Sequence, residues 1–299
     1  MAKVTRRRAA AAMALLSAAI VLPACGTSGT SARSATAASA GTRPEQIVPV
    51  PKSVLAAAEP QPDGTMWALA GSTVSRKLFE FGLPSGQVVG SIPVSNAAQA
   101  VAQSLTGMIG LALGAKNTGA LELLDGATAK VIRTVRFTAP ARDVAIGSDG
   151  TTFYVLTGTA ADSSVAIVDS QNGQVRGTIP VPPDVVSLVP GVQQTTLYVL
   201  QRNGRVSEIS IAGGKVMASF VVGDSGQSLA ISPDGSTLYA LKDTAATANV
   251  AVVDVATETV RRALPAPSHC LEVLTSASGS QLYEVVGTAD YGNIQVFAV

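Results

Sequence analysis

From residue 61 onward, the chain repeats a short turn signal about every 43 residues. The clearest copy reads Ser-Pro-Asp-Gly, and the turns begin at Gln61, Ser104, Gly147, Pro190, Ser232 and Ser276. A period of roughly 20 to 50 residues is typical of proteins that stack one supersecondary unit many times. The chain is therefore predicted to be a repeat protein in which neighbouring units share their cores.

Short β-type runs follow each turn and indicate that the repeating unit is a small sheet. The first run is clearest at residues 152–156 and 237–241. A second, alternating run ends in Asp169 or Asp254, whose short acceptor side chain suits a tight turn. A final run, such as residues 175–181, closes the unit. Each repeat is thus predicted to hold four short antiparallel strands, with an aromatic residue in the same place in five of them: Trp67, Tyr154, Tyr198, Tyr239 and Tyr283.

Such small sheets cannot bury both faces alone, and stacking them radially leaves few exposed edges. The predicted fold is all-β, a β-propeller, and residues 44–299 provide length for six four-stranded blades. The last repeat ends at Val299, where its fourth strand should begin. Residues 46–51, ahead of the first repeat, copy the fourth-strand ending at residues 178–182. We therefore expect the N-terminal strand to complete the last blade and close the ring.

The repeats also carry a family resemblance. Its residues are Ser232-Pro233-Asp234-Gly235 followed by Leu238 and Tyr239, and Val252-Val253-Asp254 followed by residues 257–260. They resemble the YVTN-type repeat of bacterial secreted propellers, which are relatives of WD40-like folds. The resemblance covers roughly residues 44–299, and one of its best copies is Tyr154-Val155-Leu156-Thr157. It implies a propeller fold.

The N-terminus has the layout of a secretory signal. Lys3 and residues 6–8 are basic, and an uncharged apolar run at residues 9–22 follows them. That run is shorter than the roughly 20 residues that span a bilayer as a permanent helix. It is followed by Pro-Ala-Cys, and the sequence Leu-Pro-Ala-Cys at residues 22–25 resembles the lipobox of bacterial lipoproteins. In that family the thiol of the cysteine, here Cys25, receives a diacylglycerol. The amine freed by cleavage then often receives an acyl chain such as palmitate.

Three segments follow from this layout: a lipoprotein signal peptide at 1–24, the lipidated Cys25 with a flexible Gly/Ser/Thr/Ala tether to residue 43, and the β-propeller at 44–299. We expect the protein to be held by Cys25 at the extracytoplasmic face of the cell membrane. The alternative is an ordinary secreted protein with a cysteine near its cleavage site. The export route, Sec or twin-arginine, stays open.

Composition argues against several classes of partner and cofactor. The chain has 21 basic and 20 acidic residues, and four of the basic ones lie in the predicted signal peptide. A nearly neutral, slightly acidic body disfavours nucleic acid as a partner. One histidine and two cysteines are too few for an ordinary zinc or haem site, so no metal and no cofactor are predicted. His269 and Cys270 are adjacent, but two ligands do not make a site.

Candidate binding residues come from position in the fold. In propellers the loop into each innermost strand faces the central channel, and by repeat alignment that ring contains Gln99, Arg142, Asp184, Gln227 and His269. This channel mouth is predicted to bind a ligand or partner, with a merely solvated rim as the alternative. Arg142 is the first choice, because its planar guanidinium suits an anionic or carbonyl-bearing ligand.

The expected function is a membrane-tethered, non-catalytic binding scaffold for a protein, a glycan or a small molecule. The alternative is a propeller hydrolase or lyase of the lactonase kind, with a channel metal held by Asp184 and His269. A third possibility is a subunit of a periplasmic redox complex. Propeller folds host all three functions, so the fold alone does not decide between them.

Overall fold

The computed structural model describes residues 43–83, 85–243, 247–288 and 290–299. In these residues every regular element is a β-strand, and the strands form six four-stranded antiparallel sheets. The prediction of an all-β propeller with six blades is confirmed. The predicted signal peptide, Cys25 and the tether up to residue 42 lie outside the described residues. Within the described part, no helix has the length and apolar character to cross a membrane.

The strands are numbered in chain order. Blade 1 contains β2 (Val54–Ala57), β3 (Thr65–Ser72), β4 (Ser75–Gly82) and β5 (Gln87–Val94). Blade 2 contains β6 (Ala98–Gln103), β7 (Met108–Gly114), β8 (Gly119–Asp125) and β9 (Lys130–Phe137). Blade 3 contains β10 (Ala141–Ile146), β11 (Thr152–Gly158), β12 (Ser163–Asp169) and β13 (Val175–Pro180).

Blade 4 contains β14 (Val185–Pro190), β15 (Thr196–Gln201), β16 (Arg205–Ser210) and β17 (Lys215–Val221). Blade 5 contains β18 (Ser228–Ile231), β19 (Thr237–Asp243), β20 (Ala248–Asp254) and β21 (Thr259–Ala266). Blade 6 contains β22 (Cys270–Thr275), β23 (Gln281–Gly287), β24 (Gly292–Ala298) and, as its outer strand, β1 (Gln46–Val50). The first strands of neighbouring blades contact one another in a closed ring, so they are the innermost strands.

The N-terminal strand closes the ring as predicted. β1 pairs antiparallel with β24, from Gln46 opposite Val296 to Val50 opposite Gly292. Val48 is fully buried, and it packs in an apolar cluster shared by blades 1 and 6. Blade 6 is therefore built from both ends of the propeller sequence, which ties the ends of the ring together.

The repeated turn signal joins each innermost strand to the second strand. Its glycine has a positive φ, as at Gly150 (66°) and Gly235 (74°), a conformation that side chains rarely adopt. The aspartate before it accepts hydrogen bonds from the following backbone, and Asp149 Oδ1 lies 2.9 Å from Thr151 N. In blade 4 the turn begins at Gly191, where Gln194 N donates to Gly191 O, so the predicted start at Pro190 is wrong by one residue.

Apolar clusters fill each of the six seams between neighbouring blades. The recurrent aromatic residues are buried in these clusters. Blade 2 has Gly110 in the aromatic position, because the ring of Phe153 from blade 3 occupies that space. A Cβ at Gly110 would lie 2.4 Å from the Phe153 ring. The seam between blades 2 and 3 is thus filled from the opposite side.

Candidate functional site

The two faces of the propeller carry different connections. Strands alternate in direction within each blade, and each blade has four strands, so the next blade begins in the original direction. All six innermost strands therefore run in the same direction along the channel. The loop face carries the loops that lead into the innermost strands and those that join second strands to third strands. The turn face carries the turns that join first to second strands and third to fourth strands. The central channel runs between these faces.

A cavity of about 290 Å³ lies in the channel and opens toward the turn face. It extends from the middle of the innermost strands to the turns that follow them. Its wall is largely apolar and includes Val144, Leu188, Ile231 and Leu274. Its rim is formed by turn residues from all six blades: Gln61, Leu105, Ser148, Val192, Pro233 and Ala277. The volume is at the low end of the range for small-molecule pockets.

A ring of equivalent positions on the innermost strands surrounds the channel at the inner limit of the cavity. We call it the acceptor ring, and its members are Ala56, Ala100, Asp143, Ser187, Ser228 and Glu272. In five of the six blades this position directly follows an irregularity in pairing with the second strand. Such bulges reorient side chains.

Four members of the acceptor ring accept a hydrogen bond from the backbone of the next blade. Leu188 N donates to Asp143 Oδ2 (3.1 Å), and Leu229 N donates to Ser187 Oγ (3.2 Å). Val273 N donates to Ser228 Oγ (3.2 Å), and Ala57 N donates to Glu272 Oε2 (2.7 Å). These bonds connect blades 3, 4, 5, 6 and 1 in sequence. The methyl groups of Ala56 and Ala100 cannot accept such bonds, so the two seams of blade 2 lack this link.

Two carboxyl groups of the acceptor ring also face the cavity. Blade 3 supplies Asp143 and blade 6 supplies Glu272, so they stand on opposite sides of a six-bladed ring. Burial raises the pKa of Asp143 to about 6, although hydrogen bonds from Val144 N, Leu188 N and the Ser187 hydroxyl oppose the rise. Burial raises the pKa of Glu272 to about 8, and the charges of Asp143 and Glu59 add to the rise.

Glu59 is a third carboxyl at the cavity, on the segment that leaves β2. Its side chain is exposed, and partial desolvation by the surrounding protein raises its pKa. The described residues that line the cavity include no lysine, arginine or histidine. The cavity therefore combines an apolar wall with three acidic groups and no cationic lining residue, and Arg142, which does not line it, acts on the charge of Asp143 from outside.

The predicted channel-mouth residues lie at the other end of the channel, on the loop face. Gln99 and Arg142 stand at pairing irregularities just before the acceptor ring, and Gln227 holds the same place before Ser228. Asp184 and His269 come two positions earlier in the repeat, just before β14 and β22, and both have positive φ angles (59° and 65°). The structure thus brings the five residues to one face but not to one ring, and none of them lines the cavity.

Arg142 makes contacts that repeat alignment did not predict. Its Nη1 donates to Val185 O of blade 4 (3.1 Å), and its Nη2 donates to Thr159 O (3.2 Å). Arg76 Nη1 likewise donates to Ala98 O, the first carbonyl of the innermost strand of blade 2. Both guanidinium groups therefore connect neighbouring blades. Ligand binding by Arg142 stays a prediction, and its two Nη groups already have backbone partners.

His269 and Cys270 do not present their side chains together. His269 is exposed, whereas Cys270 is fully buried in the apolar cluster between blades 5 and 6. Burial also raises the pKa of the Cys270 thiol. Among the described residues, no group of three or more His, Cys, Asp and Glu side chains is arranged to hold a metal ion.

Sequence reasoning missed the cavity acids Glu59, Asp143 and Glu272. A signal for two of them was present: Asp143 and Glu272 interrupt the apolar innermost strands at the repeat position that holds Ser187 and Ser228. Polar residues recurring inside a buried strand indicate a shared hydrogen-bonding role. The candidate residues were instead chosen from the loops that lead into the innermost strands, and those loops lie at the opposite end of the channel.

Comparison with known proteins agrees with the propeller fold. No protein-family model and no curated protein sequence matches the chain. Among solved structures, hydrazine synthase from Kuenenia stuttgartiensis is similar with a TM-score of 0.65 and 17% identity, over 82% of this chain and 83% of that chain. The β-propeller domain of Cps50 (Swd1) from Myceliophteria thermophila is similar with a TM-score of 0.60 and 12% identity, over 86% of this chain and 99% of that domain. At such low identity these likenesses establish the class of fold, a β-propeller, and nothing about activity.

Proposed function

We propose that this protein is a lipid-anchored, extracytoplasmic β-propeller that binds a ligand in its central channel without catalysing a reaction. The observation that carries the proposal is the cavity of about 290 Å³ on the turn face. A propeller supplies such a pocket by geometry alone, since six innermost strands converge on one axis. The anchoring part of the proposal rests on the sequence of residues 1–25.

Binding is favoured over catalysis because of what surrounds the cavity acids. Asp143 and Glu272 are both engaged by backbone N–H groups of neighbouring blades, so their geometry serves the ring. The lactonase-like alternative needs a metal held by Asp184 and His269, but these residues belong to different blades and to no metal-type cluster within the described ranges. No observation favours that alternative, and it is not proposed here.

Anchoring is tested by replacing the predicted lipidation site. In cells that express Cys25→Ala, we expect the protein to leave the washed membrane fraction and to lose incorporation of labelled palmitate. Cys270→Ala is the matched control, because it removes the other cysteine of the chain and leaves residues 1–25 intact. Retention of Cys25→Ala in washed membranes, or palmitate label on that variant, would contradict the anchoring proposal.

A further inference from the structure

We propose that the turn-face cavity binds a small organic cation, an ammonium or guanidinium group carried on an apolar body. This inference rests on the proposed binding function and names its ligand class. The cationic group would face the acceptor ring, where Asp143 and Glu272 stand on opposite blades, with Glu59 nearer the rim. The apolar body would lie against the wall that leads to the turns.

The charge of the cavity is the first argument. Three carboxyl groups line it, and the described lining residues provide no positive side chain. Carboxyl groups that protein surrounds without a counterion are costly to ionise, and a bound cation removes that cost. Desolvation by the surrounding protein is the main cause of the raised pKa values of Asp143 and Glu272, and the charge of Arg142 only partly opposes it at Asp143.

A second, independent argument comes from Gln103, at the end of β6. Its side chain is only 7% exposed and lines the same cavity. Its Oε1 has no hydrogen-bond partner. A buried amide oxygen without a donor destabilises the folded state, because it has lost its hydrogen bonds to water. A rotation of the Gln103 amide toward the cavity would let an N–H group of a bound ligand supply the missing donor, and both ammonium and guanidinium groups carry several N–H donors.

The arrangement of the acids favours an extended organic cation over a metal ion. In the described part of the chain, these carboxyl groups do not form a cluster that could share one ion. The apolar wall, which includes Leu188, Ile231 and Leu274, also suits hydrocarbon better than a hydrated ion. An alkyl chain with a cationic head matches both features of the cavity.

Three probes of equal chain length separate charge from hydrophobicity: hexylammonium, hexanol and hexanoate. Each is titrated by calorimetry into the purified full-length protein, with a detergent blank. We expect hexylammonium to bind at one site, hexanol at least about tenfold more weakly, and hexanoate not measurably. Equal binding of hexylammonium and hexanol would overturn the proposal, since the acids would then contribute nothing.

Glu59→Gln tests the site itself. Glu59 is not a member of the acceptor ring, so its replacement leaves the four hydrogen bonds of that ring in place. We expect about a tenfold loss of hexylammonium affinity. Glu122→Gln is the matched control: it makes the same change on β8, away from the cavity lining, and should leave affinity unchanged. Unchanged affinity in Glu59→Gln, or equal loss in both variants, would overturn the proposal.

A further arm distinguishes two sources of the cation. The tripeptide acetyl-Gly-Lys-Gly-amide presents the same ammonium as a side chain of a protein partner. If the tripeptide binds more tightly than hexylammonium, the natural ligand is a lysine side chain of a partner protein. If the tripeptide binds more weakly, the natural ligand is a free amine. Neither titration depends on Cys25, so the two proposals fail separately. Failure of the anchoring prediction with preserved amine binding would overturn only the anchoring proposal, and confirmed anchoring without amine binding would overturn only the cation site.

Discussion

At the loop-face end of the channel, guanidinium groups donate to backbone carbonyls of the next blade, whereas at the turn-face end carboxyl groups line an open cavity. Arg142 and Arg76 donate to carbonyl groups of the next blade. Glu272 of the acceptor ring and Glu59 nearer the rim face a cavity that no described lysine, arginine or histidine lines. The guanidinium groups at one end therefore link neighbouring blades, whereas the carboxyl groups at the other end also line a space that has room for a ligand.

This difference shows how a repeat fold separates stability from function. The guanidinium groups and four members of the acceptor ring connect neighbouring blades, which is a structural role. Asp143 and Glu272 belong to that ring and also face the cavity, so these two positions serve both roles. Substitutions at the two ends should consequently affect different measurements, and the following predictions use that separation.

The largest effect is expected for the pH dependence of stability at the turn-face end. Glu272 has a pKa of about 8 in the folded state, above its value of 4.5 when unfolded. The folded state therefore binds the carboxyl proton of Glu272 more tightly than the unfolded state does. The stability that this proton contributes is fully present below pH 4.5 and is lost as the pH rises to about 8. Glu272→Gln should remove this loss, which is on the order of 3 kcal/mol at pH 8, while its amide oxygen still accepts from Ala57 N.

Urea unfolding at pH 5 and pH 8 measures this prediction. The wild type should lose stability between the two pH values, and Glu272→Gln should lose less. Glu45→Gln is the control, because Glu45 is exposed at the start of the propeller. Parallel pH profiles for wild type and Glu272→Gln would show that this carboxyl is not surrounded by protein as described.

A smaller effect is expected at the loop-face end. Arg142→Ala removes two hydrogen bonds to Val185 O and Thr159 O, and we expect a loss of about 1–3 kcal/mol in the free energy of unfolding. The affinity for hexylammonium should change by less than about threefold, because Arg142 does not line the cavity and acts on it only through the charge of Asp143. Arg202→Ala removes an exposed arginine nearby and should stay within about 0.5 kcal/mol of wild type. Weakened amine binding in Arg142→Ala would break the separation between the two ends.

The smallest effect is expected at the uncharged positions of the acceptor ring. Ser228→Ala leaves the buried Val273 N–H without its acceptor and should cost about 1–2 kcal/mol. Ala56→Ser places a hydroxyl at the equivalent position of a seam that lacks this link, with an expected gain of at most about 1 kcal/mol. Both changes are measured by urea unfolding. Equal effects of the two substitutions, in the same direction, would show that the acceptor ring does not link the blades.

Much of the fold was predictable because it depends on local periodicity. The turn glycines, the alternating strands and the N-terminal copy of a fourth strand are all visible in sequence. The missing aromatic of blade 2 was not interpretable, because the reason for Gly110 is a ring from the next blade. Contacts between blades have no signature within a single repeat.

The channel-mouth residues predicted from sequence lie at the loop-face end of the channel, and the cavity lies at the turn-face end. Loop alignment identifies where each innermost strand begins, but a pairing irregularity follows that point, as between Ala141 and Asp143. Such a bulge changes which residues face the axis by one position. The sequence therefore indicates Arg142 or Asp143 equally well, and only the three-dimensional register shows that Asp143 lines the cavity.

The most direct test of the turn-face site is to locate a bound cation. Crystals of the protein grown with 6-bromohexylammonium would reveal the bromine by its anomalous scattering. The account predicts a bromine peak inside the turn-face cavity, along the wall that includes Leu188 and Leu274, with the ammonium toward Asp143 and Glu272. A peak at the loop face beside Arg142, or a fully occupied peak elsewhere with the cavity empty, would contradict it.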